Sequence, residues 1–401
     1  MFTWLLYILL GIALLGTVTS TIFLFLTAAG TLKFRGEARQ QAAATGAVKT
    51  FPPVSVLKPV HGLEAQLTEN IESFFRQDYP SYEILFAADE EDDAALDVVR
   101  EVSARYPQIP CRILINGKPP WPNPPAYSFF RLTEIAANEI LVTSDSDVEV
   151  APSYLREVVT PLLDPKAGMV TCVYRGKNAA GFWSGLTAVG MSVEMTAGVM
   201  VANLLEGIKF GLGPTIAVKK EAVRSIGGYE ALGDYFANDF MIGNLIDKVG
   251  YRVELSRNII DHVVNQKSFQ KMWDNQLRWA KSTRYSRPWG HLGSGLIFAV
   301  PYGLLGLLAA LSLGKPLLGL ALLGIAILNR LFESWLVGWT IVRDSVVLKR
   351  FWLFPLRDLL GFIVWVTSYT GARTVWRDHR YELRGDKIVL RKTGGTSVTR
   401  T

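Results

Sequence analysis

Acidic residues that follow two apolar segments are the side chains of this sequence best suited to chemistry. Residues 140–142 are apolar and lead to Asp145 and Asp147, which one serine separates. A turn uses one Asp as its side-chain acceptor, so a turn explains one of these carboxylates and leaves the other unexplained. Two carboxylates at a strand end also make the hard oxygen site that Mg²⁺ or Mn²⁺ prefers, with substrate phosphates completing the shell.

A second acidic group follows the segment YEILFAAD and covers residues 89–93. By itself it is explained by a helix beginning near Asp93, because Asp is a good N-cap. Two acidic groups at the ends of adjacent strands favour ligand binding, since ligands of open α/β sheets lie beyond the carboxyl ends of the strands. The pattern predicts a nucleotide site on one side and a metal–diphosphate site on the other.

Two further candidates lie later in the chain. Asp239 opens an amphipathic segment, where it either stabilises the helix through the helix dipole or acts as a general base. Arg278 and Trp279 lie in KMWDNQLRWAKSTR. They either anchor an interfacial helix or supply an arginine to a diphosphate leaving group.

The segments that must position these residues alternate between short β-rich runs and helical stretches across residues 48–287. This alternation predicts an α/β domain with a Rossmann-like, mainly parallel sheet. Neither a G-x-x-x-x-G-K-[ST] motif nor a G-x-G-x-x-G after a strand occurs, and a G-x-S-x-G elbow is also missing.

The first 32 residues contain no charged side chain, and about 20 apolar residues are enough to cross a bilayer. Residues 1–32 are therefore predicted to form a transmembrane anchor. The basic residues that follow, Lys33, Arg35 and Arg39, place the α/β domain on the cytoplasmic side by the positive-inside rule.

The region 288–376 is predicted to form further transmembrane or interfacial helices. Residues 288–314 carry no Asp, Glu, Lys or Arg and are predicted to span the membrane. Residues 316–342 are also long enough, although Arg330 and Glu333 lie near their middle. The i, i+3 spacing allows these two to pair on a face turned away from lipid.

Three other segments complete the membrane interpretation. Residues 359–372 are short for a span and suit a re-entrant or interfacial helix. Residues 377–401 are predicted to be a basic cytoplasmic tail. Residues 183–205 have a single charge, and their apolar content fits a membrane segment and a buried helix equally well.

Charge and cysteine content exclude other classes. The net charge of +6 is spread along membrane-flanking segments, and no basic stripe interleaved with aromatic residues indicates nucleic-acid binding. Cys111 and Cys172 lack metal-ligand spacing and are predicted to be buried thiols.

The order of these motifs resembles the processive and lipid-directed GT-A glycosyltransferases, and several segments look like the ceramide glucosyltransferase family. That family includes bacterial hopanoid-associated glycosyltransferases. The segments that carry the resemblance are SVLKPVHG, FFRQDYPSYEI, TSDSDVEVAPSYL, VTCVYRG and DNQLRWAKSTR. The resemblance implies a UDP-sugar-dependent inverting hexosyltransferase of the inner membrane, with Mn²⁺ or Mg²⁺ as cofactor.

Donor-binding roles are carried over by position. The resemblance implies that Asp92 lies near the uridine, with Asp89 as an alternative, and that Lys58 is among the UDP-sugar contacts. It implies that Asp145 contacts the donor and holds the metal together with Asp147.

Catalytic roles are carried over in the same way, to Asp239 as the base and to Arg278 and Trp279 at the end of the [Q/R]-x-x-R-W motif. Two positions depart from the family pattern. The first motif position is Asn275, although Gln276 is next to it.

The other departure is Pro125, where relatives often have lysine. It puts sugar or diphosphate contacts of that loop in doubt, and Lys118 or Arg131 are the candidate substitutes.

The predicted reaction moves a hexose, glucose or N-acetylglucosamine, from a UDP-sugar to the hydroxyl of a membrane lipid. Ceramide and a hopanoid polyol such as bacteriohopanetetrol both present such a hydroxyl. A processive polysaccharide synthase combines a similar core with more membrane segments than are predicted here. A non-enzymatic scaffold is disfavoured because the sequence retains all four family aspartates, Asp92, Asp145, Asp147 and Asp239.

Overall fold

The computed structural model describes residues 3–178, 181–376 and 379–390. The chain divides into two compact units. The α/β unit comprises residues 36–179, 208–265 and 372 onwards, and the helical unit comprises the rest. Residues 180–207 and 266–287, which fall within the predicted domain 48–287, therefore group with the apolar helices.

The described strands form one eight-stranded sheet and one three-stranded sheet. They are β1 (Val54–Pro59), β2 (Tyr82–Ala88), β3 (Cys111–Ile115), β4 (Ile140–Ser144), β5 (Val148–Glu149), β6 (Ala167–Asn178), β7 (Thr215–Lys219), β8 (Arg252–Val264), β9 (Arg373–Trp376), β10 (His379–Arg384) and β11 (Lys387–Leu390). The larger sheet has the order β3-β2-β1-β4-β7-β6-β8-β5.

The first half of this sheet is parallel, as predicted. Strands β1, β2 and β4 are almost wholly buried, which explains their continuous apolar sequences. The helices of this unit are α2 (Leu67–Phe75), α3 (Ala94–Arg105), α4 (Pro124–Ile135), α5 (Tyr154–Val159), α8 (Lys220–Ser225) and α9 (Asn238–Lys248). Burying one Leu, Val or Phe side chain stabilises the fold by about 1.5–3 kcal/mol.

The second half of the sheet is mixed. Strand β7 runs antiparallel to both β4 and β6, and β5 runs antiparallel to β8. Strands β6 and β8 pair in parallel over most of their length. The α/β class with helical membrane segments is therefore confirmed, with a mixed rather than uniformly parallel sheet.

Four helical segments of the described chain are long and apolar enough to cross a membrane: residues 3–47, 181–205, 316–342 and 345–368. The helices concerned are α1 (Thr3–Ala47), α6 (Gly181–Gly190), α7 (Thr196–Leu205), α10 (Phe269–Ser286), α11 (Pro288–Ser294), α12 (Val300–Ser312), α13 (Pro316–Val337), α14 (Ser345–Arg350) and α15 (Phe354–Ser368). A π-helical turn joins α6 to α7, and α1 continues well beyond the predicted anchor at residue 32.

The predicted span 288–314 is wrong as a single helix. It is divided into α11 and the shorter apolar helix α12. The carboxylate of Asp358 explains where α12 begins, because its Oδ2 accepts the backbone N–H groups of Ala299 (3.0 Å) and Val300 (2.8 Å). The residue that caps the start of α12, Asp358, thus lies far from that helix in the sequence.

The predicted pairing of Arg330 and Glu333 is confirmed. Arg330 Nη1 lies 2.7 Å from Glu333 Oε2 and 3.5 Å from Asp358 Oδ1, and all three side chains are almost fully buried. Two carboxylates therefore share one guanidinium inside the helical unit. A charge in such surroundings is tolerated only when it is paired.

Part of the predicted basic tail is a β-hairpin. Strands β10 and β11 lie within it and pair through a tight turn at Gly385 and Asp386. Residues 377, 378 and 391–401 of the predicted tail lie outside the described residues.

Candidate active site

The parallel strands β1, β2, β3 and β4 end at the same edge of the sheet. Their last residues and the residues that follow them bring Lys58, Asp89, Asn116 and Asp145 to that edge. Three of these four were predicted as donor or metal ligands. The edge is therefore where the sequence predicted a nucleotide site.

Asp145 and Asp147 lie in the short connection from β4 to β5. The backbone N–H of Asp145 donates to Pro214 O (3.1 Å), which fixes the start of the connection. Between them, Ser146 Oγ donates to Glu64 Oε2 (2.5 Å), and its carbonyl accepts from Asn70 Nδ2 (3.2 Å). These contacts hold the connection rigidly on both sides.

His262 on β8 is the partner of Asp147, and the sequence interpretation missed it. Its Nε2 lies 2.9 Å from Asp147 Oδ2. Asp147 Oδ1 and His262 Nδ1 are buried and have no hydrogen-bond partner among the described residues. Asp147 Oδ1 thus offers a carboxylate oxygen, a donor type that suits Mn²⁺ and Mg²⁺.

Asp147 and His262 each stabilise the charged form of the other side chain. Burial by itself raises the pKa of Asp147, but the adjacent His262 reverses this and holds the pKa below its usual range. Burial lowers the pKa of His262, and Asp147 outweighs it, so that the pKa is raised. The pocket therefore favours a negative Asp147 that faces a positive His262.

Lys58 is fully buried behind the same connection. Its Nζ donates to Asp145 O (2.5 Å) and lies 4.1 Å from the centre of the Phe74 ring. Burial lowers its pKa to about 7, although Asp145, Asp147 and Glu64 act in the opposite direction. Lys58 therefore positions the Asp145 backbone from the interior of the sheet.

Asp239 lies in the first turn of α9 and packs against the loop that precedes β7. A Cβ added at Gly213 would lie only 2.8 Å from Asp239 Oδ2, so glycine is needed for this approach. The carbonyl of Asp239 accepts the N–H of Gly211 (3.1 Å). Since Pro214 in the same loop accepts the N–H of Asp145, one loop contacts both Asp239 and Asp145.

Tyr174 on β6 lies within the electrostatic influence of the predicted site aspartates. Burial raises its pKa, and the charges of Asp239, Asp147 and Asp145 raise it further. Its ring also contacts the imidazole of His262 edge to face, with centroids 5.4 Å apart. The charges of three predicted site aspartates thus act on one tyrosine that the sequence interpretation did not select.

The acidic residues 89–93 after β2 include a helix cap and side chains that are open to a ligand. Asp93 caps α3, with Oδ1 accepting from Ala95 N (2.9 Å), and it also accepts from Gly62 N (2.8 Å). Asp92 is exposed, and Asp89 is half-buried directly at the strand end. The N-cap interpretation therefore applies to Asp93, and it leaves Asp89 and Asp92 as the residues available to a ligand.

Pro125, which the sequence analysis placed in a loop, lies in the first turn of α4. Asn123 is its N-cap, with Oδ1 accepting from Ala126 N (3.0 Å). Arg131 lies on this helix, 3.4 Å from Glu134, whereas Lys118 is exposed in the preceding loop. Of the two suggested substitutes for a lysine at 125, Lys118 is the more accessible.

Arg278 and Trp279 lie on α10 of the helical unit, with the guanidinium 5.8 Å from the indole centre. Gln276 on the same helix is buried and accepts from Arg357 Nη2 (2.7 Å). Gln276, which follows the motif position occupied here by Asn275, therefore connects α10 to α15.

The sequence profile of glycosyl transferase family 21 matches residues 9–389. The match covers almost the entire chain, including the sheet edge described above. The chain belongs to glycosyl transferase family 21 and is a sugar-transferring enzyme with an α/β domain.

Relatives in other organisms are consistent with this assignment. Ceramide glucosyltransferase 1 of Caenorhabditis elegans is 25% identical over 83% of this chain and 72% of its own length. The probable glycosyltransferase YdaM of Bacillus subtilis is 24% identical over 59% of this chain and 57% of its own.

Two solved structures are more distant. The mannosyltransferase PcManGT from Pyrobaculum calidifontis, in complex with GDP-Man and Mn²⁺, has a TM-score of 0.49 and 18% identity, covering 86% of this chain and 99% of that chain. The glucosyl-3-phosphoglycerate synthase of Mycobacterium tuberculosis, in complex with Mg²⁺ and UDP, has a TM-score of 0.38 and 16% identity, covering 61% and 81%. The family assignment rests on the sequence match.

Proposed function

We propose that the protein transfers a hexose, glucose or N-acetylglucosamine, from a UDP-sugar to the hydroxyl of a membrane lipid, with inversion at the anomeric carbon. The observation that carries this proposal is the loop of Gly211, Gly213 and Pro214, which contacts both Asp239 and Asp145 beyond the sheet edge. A lipid acceptor is supported by the similarity to ceramide glucosyltransferases and by the four candidate membrane helices.

Asp145 and Asp147 are the proposed holders of a divalent cation, and His262 orients the Asp147 carboxylate. The buried Asp147 Oδ1 that lacks a partner among the described residues supports this assignment. Within the described ranges no group of three or more His, Cys, Asp or Glu side chains is placed to hold a metal ion. The two carboxylates would therefore hold the ion together with oxygens of the donor. Bound there, Mn²⁺ or Mg²⁺ would neutralise the charge that develops on the UDP leaving group.

Asp239 is the proposed general base. Its carboxylate takes the proton from the acceptor hydroxyl while that oxygen attacks the anomeric carbon from the side opposite the diphosphate. The new glycosidic bond forms as the bond to UDP breaks, so an α-linked donor gives a β-glycoside. The loop of Gly211, Gly213 and Pro214 supports this role because it fixes Asp239 and Asp145 together.

The remaining donor contacts are proposed from position. Asp89 and Asp92 lie beyond β2 and suit hydrogen bonds to the uridine. Lys58 acts indirectly, through the Asp145 backbone. Arg278 and Trp279 are proposed to contact the leaving group, for which arginine is well suited because its fork matches phosphate oxygens.

The proposed location is the inner membrane, with several spans and the catalytic domain on the cytoplasmic side. Lys33, Arg35 and Arg39 follow the apolar part of α1 and support this orientation. A lipid acceptor remains in the bilayer during the reaction, so the enzyme must work at the membrane surface.

Transfer from a panel of UDP-sugars to ceramide, bacteriohopanetetrol and diacylglycerol, measured in detergent with Mn²⁺, tests the proposal. We expect one donor–lipid pair to give a β-glycoside. Products extended by several sugars without a lipid would instead indicate a polysaccharide synthase. UDP binding without transfer to any of these lipids would contradict the proposed acceptors.

His262→Ala is expected to weaken Mn²⁺ binding in the presence of UDP by about 10–100-fold, as is usual for groups that hold or orient metal ligands. Isothermal titration of Mn²⁺ into the UDP complex measures this directly. His61→Ala is the matched control, because His61 is exposed and pairs with the helix cap Asp93. Equal Mn²⁺ affinity in both variants would show that His262 does not contribute to metal binding.

A further inference from the structure

The loop of residues 233–237 leads directly into α9, whose first turn carries Asp239. Because the backbone continues from this loop into the helix, the position of the loop determines where the Asp239 carboxylate lies. Ala237 O accepts the N–H of Met241 (3.0 Å) as the first hydrogen bond of α9. The end of the loop is therefore fixed to the first turn of the helix. Whatever holds the loop therefore holds the proposed base.

Asn123 holds one side of this loop. Its backbone N–H donates to Gly233 O (3.0 Å), and its Nδ2 donates to Tyr235 O (2.8 Å). Trp121 packs beneath Gly233, where an added Cβ would lie 2.9 Å from the indole. The fully buried Asn123 thus satisfies two loop carbonyls in addition to capping α4.

The C-terminal hairpin holds the other side. Phe236 N donates to Asp386 O (3.1 Å), and Ile388 N donates to Asp234 O (2.8 Å). Tyr235 and Lys387 form a β-bridge between these two bonds. The loop therefore acts as an additional strand beside β11.

We propose that Asn123 and the hairpin of β10 and β11 are positioning elements for Asp239, acting through the loop of residues 233–237. The inference rests on the proposed function, in which Asp239 is the base. None of these contacts involves donor or metal ligands, so their loss is expected to affect the chemical step and spare nucleotide binding. A misplacement of about 1 Å costs on the order of 10²-fold in rate.

Asn123→Ser tests the first side in the full-length enzyme. Serine keeps an N-cap oxygen for α4 but cannot reach Tyr235 O. We expect kcat to fall about 10–100-fold, with KM for the UDP-sugar within about twofold of the original value. Asn138→Ser is the matched control, since it removes an amide that donates to Ser55 Oγ at the opposite end of β4.

Ile388→Pro tests the second side by removing the N–H that donates to Asp234 O. Ile388→Ala is its control, because it removes more of the buried side chain than proline does but retains the N–H. We expect the proline variant to lose kcat more than the alanine variant and to show faster amide hydrogen exchange in residues 233–237.

The outcomes separate the two proposals. If Asn123→Ser and Ile388→Pro loosen the loop in hydrogen exchange but keep kcat, while Asp239→Asn abolishes it, the positioning role is overturned and the proposed function stands. If Asp239→Asn keeps kcat, the assignment of the base fails regardless of the loop. A fall in thermal stability with unchanged kcat in either variant would likewise reduce these contacts to structural ones.

Discussion

Asp239→Asn is expected to lower kcat about 10²–10⁴-fold while UDP and Mn²⁺ bind normally, because an amide cannot accept the acceptor proton. The change keeps the size of the side chain that packs against Gly213. The loss of a negative charge in the first turn of α9 costs the helix only about 0.3–1 kcal/mol. Single-turnover transfer and UDP titration on the same sample measure the two effects.

Asp247→Asn is the matched control for this variant. It makes the same chemical change on the same helix but at the opposite end. We expect it to transfer sugar at the original rate. Comparable turnover in the two variants would show that another group takes the proton.

Arg330→Met is expected to destabilise the helical unit by about 3–5 kcal/mol, the usual cost of removing one partner from a buried ion pair. The substitution leaves the carboxylates of Glu333 and Asp358 without the guanidinium that they share. Unfolding in lipid–detergent mixtures, followed by tryptophan fluorescence, measures the loss.

Arg343→Met provides the control, because Arg343 is exposed and its substitution is expected to change stability by no more than about 0.5 kcal/mol. Adding Glu333→Leu to Arg330→Met should recover part of the loss, since one of the stranded carboxylates is removed. Equal stability of the two single variants would mean that Arg330 is not a buried partner in the membrane.

The sequence predicted those features that depend on neighbouring residues. Asp145 and Asp147 are recognisable because they follow a strand with fixed spacing, and the same holds for the Arg330–Glu333 pair on one helical face. His262 and Tyr174 were missed because their partners are far away in the chain. A lone histidine in NIIDHVV carries no spacing signal, and only the pairing of β5 with β8 brings it to Asp147.

The limits of the helices were predicted less well for a similar reason. Composition alone joins residues 288–314 into one apolar segment. The restart at α12 depends on Asp358, which no pattern within that segment indicates. The antiparallel insertion of β7 is also decided by long-range pairing, which alternation of strands and helices does not encode.

The hairpin of β10 and β11 has a consequence for biosynthesis. Ribosomes make the loop of residues 233–237 long before they make β11, and the apolar helices α12 to α15 emerge between the two. A nascent chain therefore enters the bilayer before the last support of its Asp239 loop exists. On the proposed positioning role, products truncated by a premature stop codon or by proteolysis before β11 would keep the apolar helices, lack the support of the Asp239 loop and transfer sugar poorly.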